Sequence, residues 1–398
     1  MNGMKQNWEY KKLGDVVSFV ADGDWIESRH QSENGFRLIQ TGNVGNGFFK
    51  AKDDKPHYIS EETFKELGCT EIFEGDCLVS RLPDPIGRAC IIPNVGVRMI
   101  TAVDCTIIRF KDSFFSKFFV YYTRSKHYKK EIEKKTTGST RKRISRKNLE
   151  SVSIPIPPLA EQQRIVGELD LLTGIIDKQN AQLKELDTLA QSIFYDMFGD
   201  PIENPKGWEV KKIGDVATVK IGPFGSLLHA KDYVNGGHPV INPIHLNSGK
   251  IFADESFTVD DAMYEQMQAY KLQLNDVVFG RRGDIGRCAL VEKGQEGYLC
   301  GTGSLFVRFN EKINPTFSIA TLMHKSITDY LVKKAKGATM LNINCGIVED
   351  IPIILPPLAL QQSFAEKIQS IEKQKSAIKA SIADTQKLLD YTMDKYFG

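Results

Sequence analysis

The chain has 398 residues, 41% of them hydrophobic and 26% charged, with a formal net charge of +2. Those proportions belong to an ordinary globular protein of two to three domains and exclude a low-complexity or fibrous chain. No apolar run approaches the roughly 20 residues that span a bilayer, and the polar stretch Met1–Asn7 does not read as a signal peptide, so a cytoplasmic protein with no membrane partner is expected.

Trp8-Glu9-Tyr10-Lys11-Lys12-Leu13-Gly14-Asp15-Val16 opens a unit that returns 200 residues later as Trp208-Glu209-Val210-Lys211-Lys212-Ile213-Gly214-Asp215-Val216. Gly87-Arg88 returns as Gly286-Arg287, Pro157-Pro158-Leu159-Ala160 as Pro356-Pro357-Leu358-Ala359, and Phe198-Gly199 as Phe397-Gly398. A duplicated unit this long is a domain with its connector, since solenoid repeats run about 20–50 residues. Within the first copy, Asp22-Gly23-Asp24-Trp25 reads as a loop and Gly42-Asn43-Val44-Gly45-Asn46-Gly47 as a turn between strands. Short β-type runs follow at 72–80, 89–93 and 105–110, with counterparts at 274–279, 289–291 and 304–309. Such spacing predicts a twisted, mostly antiparallel sheet with some helices, an α+β domain. Helical stretches near Phe114–Lys135 and Phe317–Lys334 close the two copies.

A Gly-poor segment of about 40 residues then follows each Pro-Pro pair, where proline ends the strand and tolerates a helix start. Apolar positions recur at 4-3-4-3 spacing: Ile165, Leu169, Leu172, Ile176, Leu183, Leu186, Ala190, Ile193 and Met197, with Gln179 in the series. The second copy runs Phe364, Ile368, Ile371, Lys375, Ile378, Ile382, Thr385, Leu389, Thr392 and Tyr396. A 3.5-residue repeat of this length predicts a coiled-coil seam. Two such helices packed antiparallel give a pseudo-two-fold molecule, the expected division being domain 1–158, helix 159–199, domain 200–357 and helix 358–398. The polar seam positions Gln179, Lys375, Thr385 and Thr392 are expected to fix register or to accept another helix.

Catalytic motifs are scarce. The sequence has no G-x-x-x-x-G-K-[ST] loop, no H-E-x-x-H and no G-x-S-x-G. Its seven histidines lack metal-ligand spacing, and its seven cysteines, never in C-x-x-C, read as reduced core thiols. Asp22, Asp24, Asp53 and Asp54 read as flexible surface acids. No enzyme, no bound metal and no cofactor of its own are therefore expected.

Charge distribution is more informative than net charge. Between Arg124 and Lys147 there are eleven Lys/Arg against Glu131 and Glu133, a pattern that favours a polyanion such as DNA. Lys135, Thr137, Arg141, Lys142 and Arg143 are candidate DNA contacts here, with Lys336 and Thr339 as the second copy's counterparts. Arg81 and Arg88 flank a Pro-rich turn, matched by Arg281, Arg282 and Arg287; arginine reads guanine O6 and N7 through two hydrogen bonds. Trp25, Arg37, Phe224 and Ser226 complete the candidate set. The paired loops differ while the framework repeats, as expected if each domain reads a different sequence. A coiled-coil scaffold binding proteins, or an unrecognised DNA-modifying enzyme, are the rival readings.

The duplicated Trp-x-x-x-x-[Leu/Ile]-Gly-Asp-Val opening, the Gly-[Ser/Ala]-Thr ahead of a Pro-rich strand, and the Pro-Leu-Ala helix starts with Gln162-Gln163 and Gln361-Gln362 come in a specific order. In that order the chain resembles, over essentially its whole length, the specificity subunit of bacterial type I restriction-modification systems. The resemblance implies two target recognition domains, each reading half of a split site in double-stranded DNA. It implies two helices that space the domains and dock two methyltransferase subunits, to which restriction and translocase subunits add. Gln162, Gln163, Gln179, Gln361, Gln362 and Lys375 are the expected partner-facing residues. S-adenosylmethionine and ATP then belong to the partner subunits. One departure is that the second copy is much less basic around 333–346, so its phosphate contacts are fewer or lie elsewhere.

Overall fold

The computed structural model describes residues 8–139, 141–223, 227–335 and 342–398. Two compact units emerge, Met1–Asn180 with Ala380–Gly398, and Ala181–Lys379. Each unit takes turns from both long helices, so it exceeds the globular domain read from the sequence.

In the first unit, β-branched and apolar runs form a four-stranded antiparallel sheet in the order Val17–Asp22, Cys105–Phe110, Cys77–Ser80, Ala89–Ile91. Five shorter strands make a second sheet, in which Phe36–Ile39 and Met99–Thr101 run parallel. Glu9–Lys12 pairs with Ser153–Ile156, tying the opening of the domain to the strand that feeds the first long helix. The second unit repeats the plan. Its four-stranded sheet runs Ala217–Ile221, Ser304–Phe309, Val277–Gly280, Cys288–Leu290, and Val210–Lys212 pairs with Pro352–Ile354. Both four-stranded sheets carry an ion pair that pattern reading did not find. Arg109 grips Asp76 through two bonds of 2.8 Å, and Arg308 grips the fully buried Asp276 at 2.8 and 2.7 Å.

The helical stretch that closes each copy is broken once. Ser116–Tyr122 gives way to Lys126–Lys135 because the Ser125 hydroxyl accepts from the Tyr128 N–H and restarts the chain as an N-cap. In the second copy His324 plays that part between Pro315–Leu322 and Lys325–Lys334.

The long helices are continuous over Leu159–Phe198 and Leu358–Phe397. In the first unit Ile165 and Leu169 join Leu389, Met393, Tyr396 and Phe397 in one core with Phe118, Phe119, Tyr122 and Tyr128. Phe118 meets Phe397 edge-on with ring centroids 5.3 Å apart. Tyr396 donates to Glu168 at 2.6 Å and Gln179 donates to Ser381 at 2.7 Å, so the helices run antiparallel here. In the second unit Phe194 and Phe198 enter a core with Phe317 and Phe364, and Lys375 pairs with Asp187 at 2.8 Å, again antiparallel. Full burial is confined to the turns that adjoin a domain. Leu183, Leu186, Ile378 and Ile382 are only half-buried, since two helices alone cannot close a seam from every side. Lys375 is therefore an interhelical ion-pair residue, as a register-fixing position would be.

Gln162 and Gln361 correct the partner-surface expectation. They are 0% and 1% exposed. The Gln162 carbonyl accepts from the Phe115 N–H and its amide donates to the Pro157 carbonyl, both at 2.8 Å. Gln361 accepts from the Asn314 N–H at 2.8 Å and donates to the Pro356 and Lys312 carbonyls. Both glutamines are braces that lock a helix start onto its domain, whereas their neighbours Gln163 and Gln362 are exposed. Replacing Gln162 by Leu strands a buried donor and a buried acceptor, with an expected cost of about 1–3 kcal/mol in chemical denaturation; an unchanged midpoint would contradict the brace.

Candidate nucleic-acid interface

One edge of each four-stranded sheet gathers four chain segments around an arginine. In the first unit the Arg81 N–H donates to the Asp104 carbonyl at 2.9 Å, and its own carbonyl accepts from Ile144 at 3.2 Å. Its guanidinium donates to Asp22 Oδ2 at 3.1 Å and to the Val103 carbonyl at 2.6 Å. Asp22 in turn accepts from the Thr106 hydroxyl at 3.0 Å. Arg81 thus binds together the end of strand Val17–Asp22, the turn 81–88, the turn 102–104 and the arm 137–144. It is 4% exposed, so its role is to shape the edge rather than to offer a cation.

What the edge presents to solvent is the arm. Thr137 and Arg143 exchange two backbone bonds of 2.9 Å, a tight hairpin that requires Gly138 at φ +100°. Arg141 and Arg143 lie 3.5 and 3.8 Å from Asp104 and stay solvent-exposed; such surface pairs contribute at most about 1 kcal/mol and do not hold the cations back. Lys142 is exposed beside them. Trp25, 70% exposed, comes to the same edge because Asp24 exchanges backbone bonds with Thr101 and Val103.

Three further expected contacts are corrected in this unit. Arg88 is buried and spends Nε, Nη1 and Nη2 on the carbonyls of Val44, Leu82, Pro85 and Thr41, which uses four of its five donors. Arg37 is buried on the other sheet, where it pairs with Asp53 at 2.8 Å and lines a polar cavity of about 340 Å³ with Gln40, Asn43, Lys52 and His57. Lys135 is drawn back to the Ser151 hydroxyl at 3.1 Å. The surface-acid reading holds for the exposed Asp53 and Asp54, of which Asp53 reaches Arg37, and fails for Asp22 and Asp24, which are half-buried: Asp22 pairs with Arg81, and Asp24 accepts from the Thr70 N–H at 2.9 Å. Those acids and Asp104 are what residue-level reasoning missed. A buried arginine requires an acceptor, but nothing in the local pattern says which acid supplies it.

The second unit repeats the edge. The Arg281 N–H donates to the Gly303 carbonyl at 2.9 Å, its carbonyl accepts from Ile343 at 3.0 Å, and Gly222 donates to the Ser304 carbonyl at 3.0 Å. Arg282 is exposed and bridges to Asn342. Arg287, in the place of Arg88, is half-exposed; it donates to the Pro243 carbonyl and pairs with Asp284. Phe224, Ser226, Lys336 and Thr339 lie outside the described residues.

Among the described residues no three His, Cys, Asp or Glu side chains stand close enough to hold a metal ion. Six of the seven cysteines are buried. Burial pushes the thiols of Cys69 and Cys105 up to about 11 and those of Cys90 and Cys288 up to about 12, so they stay protonated. No described helix is long and apolar enough to cross a membrane.

Two stretches, 5–187 and 205–385, match the family described as the type I restriction modification DNA specificity domain. The chain is 23% identical over 386 residues to the type I restriction enzyme MjaIX specificity subunit of Methanocaldococcus jannaschii, covering 92% of this chain and 87% of that one. It is 22% identical over 284 residues to the EcoKI specificity subunit of Escherichia coli strain K12, covering 67% and 61%. Two solved structures share the fold. One, from work on complex assembly and conformational transition of the type I R-M system, has a TM-score of 0.62 at 16% identity over 100% of this chain and 99% of that one. The other, the type I restriction-modification system S subunit from M. genitalium, has a TM-score of 0.56 at 13% identity over 99% and 98%.

The buried and exposed cations are separable by experiment. Arg88→Met is expected to cost roughly 3 kcal/mol in thermal or chemical unfolding, because four carbonyls lose a donor and those of Val44 and Pro85 have no other among the described residues. Neutralising Arg141, Lys142 and Arg143 together is expected to leave the unfolding midpoint in place while flattening the salt dependence of duplex binding. The reverse pattern would misassign both sets.

Proposed function

Because the chain belongs to the type I restriction modification DNA specificity family, with one matched stretch in each half, we propose that each of its two domains reads one half of a bipartite DNA target. The observation that carries this reading is the duplicated sheet edge. A shared backbone frame, set by Arg81 and Arg281, carries loops of different chemistry: Trp25 and the Arg141–Arg143 arm in one copy, Arg282 and Asn342 in the other. Exposed cations supply sequence-independent affinity through phosphate contacts, and the differing loops supply discrimination. The chain does no chemistry of its own in this reading; S-adenosylmethionine and ATP are bound by the methyltransferase and restriction subunits that it recruits. A protein-binding scaffold has no need of such an arm.

Recruitment falls to the helices. In the first unit Leu171, Ile175, Leu388 and Tyr391 are exposed, each one place ahead of a seam position. In an antiparallel pair those flanks fall on one side, marked at its end by Glu168 and Lys395, which both meet the Tyr396 hydroxyl, at 2.6 and 3.1 Å. We assign this apolar stripe to a helix of a methyltransferase subunit, since exposed apolar patches on otherwise charged helices mark interaction surfaces.

Co-expression with a methyltransferase subunit, followed by genome-wide mapping of adenine methylation, is expected to return a two-part motif separated by a nonspecific spacer. A continuous motif, or none, would defeat the reading. Charged substitutions in the stripe, Leu171→Glu with Tyr391→Glu, are expected to weaken co-purification of the methyltransferase subunit at least tenfold, as for central interface residues. Undiminished co-purification would place the partner elsewhere.

A further inference from the structure

The two copies treat the same buried arginine differently. Arg81 has Asp22 at 3.1 Å, and Asp22 stands opposite Thr106 in the sheet. The corresponding register in the second copy puts Ile221 opposite Leu305, so the place of the carboxylate is taken by an alkyl chain. Arg281 is 9% exposed, yet among the described residues its side chain reaches only the carbonyls of Ile343 at 3.3 Å and Thr302 at 3.5 Å, both long contacts. Residues 1–7, 140, 224–226 and 336–341 include no Asp or Glu, so no acid outside the described residues completes the pair. The titratable groups around Arg281 are Arg282, which repels it, and the Cys300 and Cys345 thiols, which burial holds protonated. At the same edge Ser304 Oγ and Asn342 Oδ1 are buried with no hydrogen-bond partner among the described residues.

A guanidinium taken out of water without a counter-charge is a costly arrangement, and an external anion is the natural remedy. Building on the DNA reading above, we propose that Arg281, assisted by the exposed Arg282, is the anion anchor of the second domain and takes a phosphodiester oxygen of the DNA backbone. Reading a base edge requires a side chain that projects into a groove. Arg281 is recessed, and a phosphate on the outside of the duplex is the group that comes to it. The first domain spends its equivalent arginine on Asp22 and carries its free cations on the arm at 141–143. The second copy is less basic around 333–346, where it carries Lys333, Lys334 and Lys336, and Arg281 with Arg282 adds a phosphate contact at the turn.

The test uses the full chain with its methyltransferase partner, titrated by fluorescence anisotropy onto a target duplex and an unrelated duplex across a salt series. Arg281→Met is expected to weaken both duplexes by a similar factor, about three- to tenfold, and to lower the slope of log K against log salt by about one. Ile221→Asp, which installs the first copy's partner, is expected to produce the same two changes with the arginine retained. Arg282→Gln, at a solvent-exposed position that does not burden folding, gives a smaller change in the same direction and carries the test if the buried variants fail to melt cooperatively. Wild-type slopes in all variants that fold would overturn the proposal. A loss confined to the target duplex would also overturn it, by assigning Arg281 to a base. If the wild-type complex binds neither duplex in a salt-dependent way, it is the DNA reading itself that fails.

Discussion

Both domains depend on a backbone clasp in which one arginine, Arg81 or Arg281, donates its N–H to one turn and accepts with its carbonyl from the arm that follows. Main-chain bonds of this kind do not depend on what the loops contain, provided the arginine holds its place at the end of the strand. Loop sequence can therefore vary while loop position stays fixed. A recognition protein needs that division, since precision comes from rigid elements and diversity from the segments they hold. The side chain of the clasp is then free to differ. It is neutralised in one copy and left with a recessed, unpaired charge in the other.

A second constraint operates where helix meets domain. Gln162 and Gln361 satisfy backbone groups of the preceding domain from the first turn of each long helix, and aromatic residues seat the opposite helix ends in the same cores. Docking of this kind seats those helix turns in the domain core. The weakly covered middle turns are held by polar contacts, Gln179 with Ser381 and Lys375 with Asp187 and Glu372, which set register at little gain in stability. Apolar residues left outside the seam are then available for another protein.

Legibility in the sequence followed the range of the forces involved. The heptad spacing announced the helices because periodicity is local, and Leu159–Phe198 and Leu358–Phe397 are where the Pro-Pro pairs and the Phe-Gly ends put them. The single helices expected near 114–135 and 317–334 are each broken by a capping residue, Ser125 and His324, a signal that apolar periodicity passes over. Exposure of arginines was the least legible property. Arg37, Arg81 and Arg88 look alike in a Gly- and Pro-rich context, yet all three are inside, whereas Arg141 and Arg143 are outside.

The sequence by itself determined the duplication, the α+β character of each copy, the two long helices and the family, because repeats, alternation and heptads are written in neighbouring residues. Tertiary structure alone decided which polar groups serve the fold and which face solvent. Asp22 and Arg81 are 59 positions apart, and whether an arginine is neutralised depends on what the opposite strand carries at that register. Electrostatic partnership is a property of distance in space, and only the folded sheet fixes that distance.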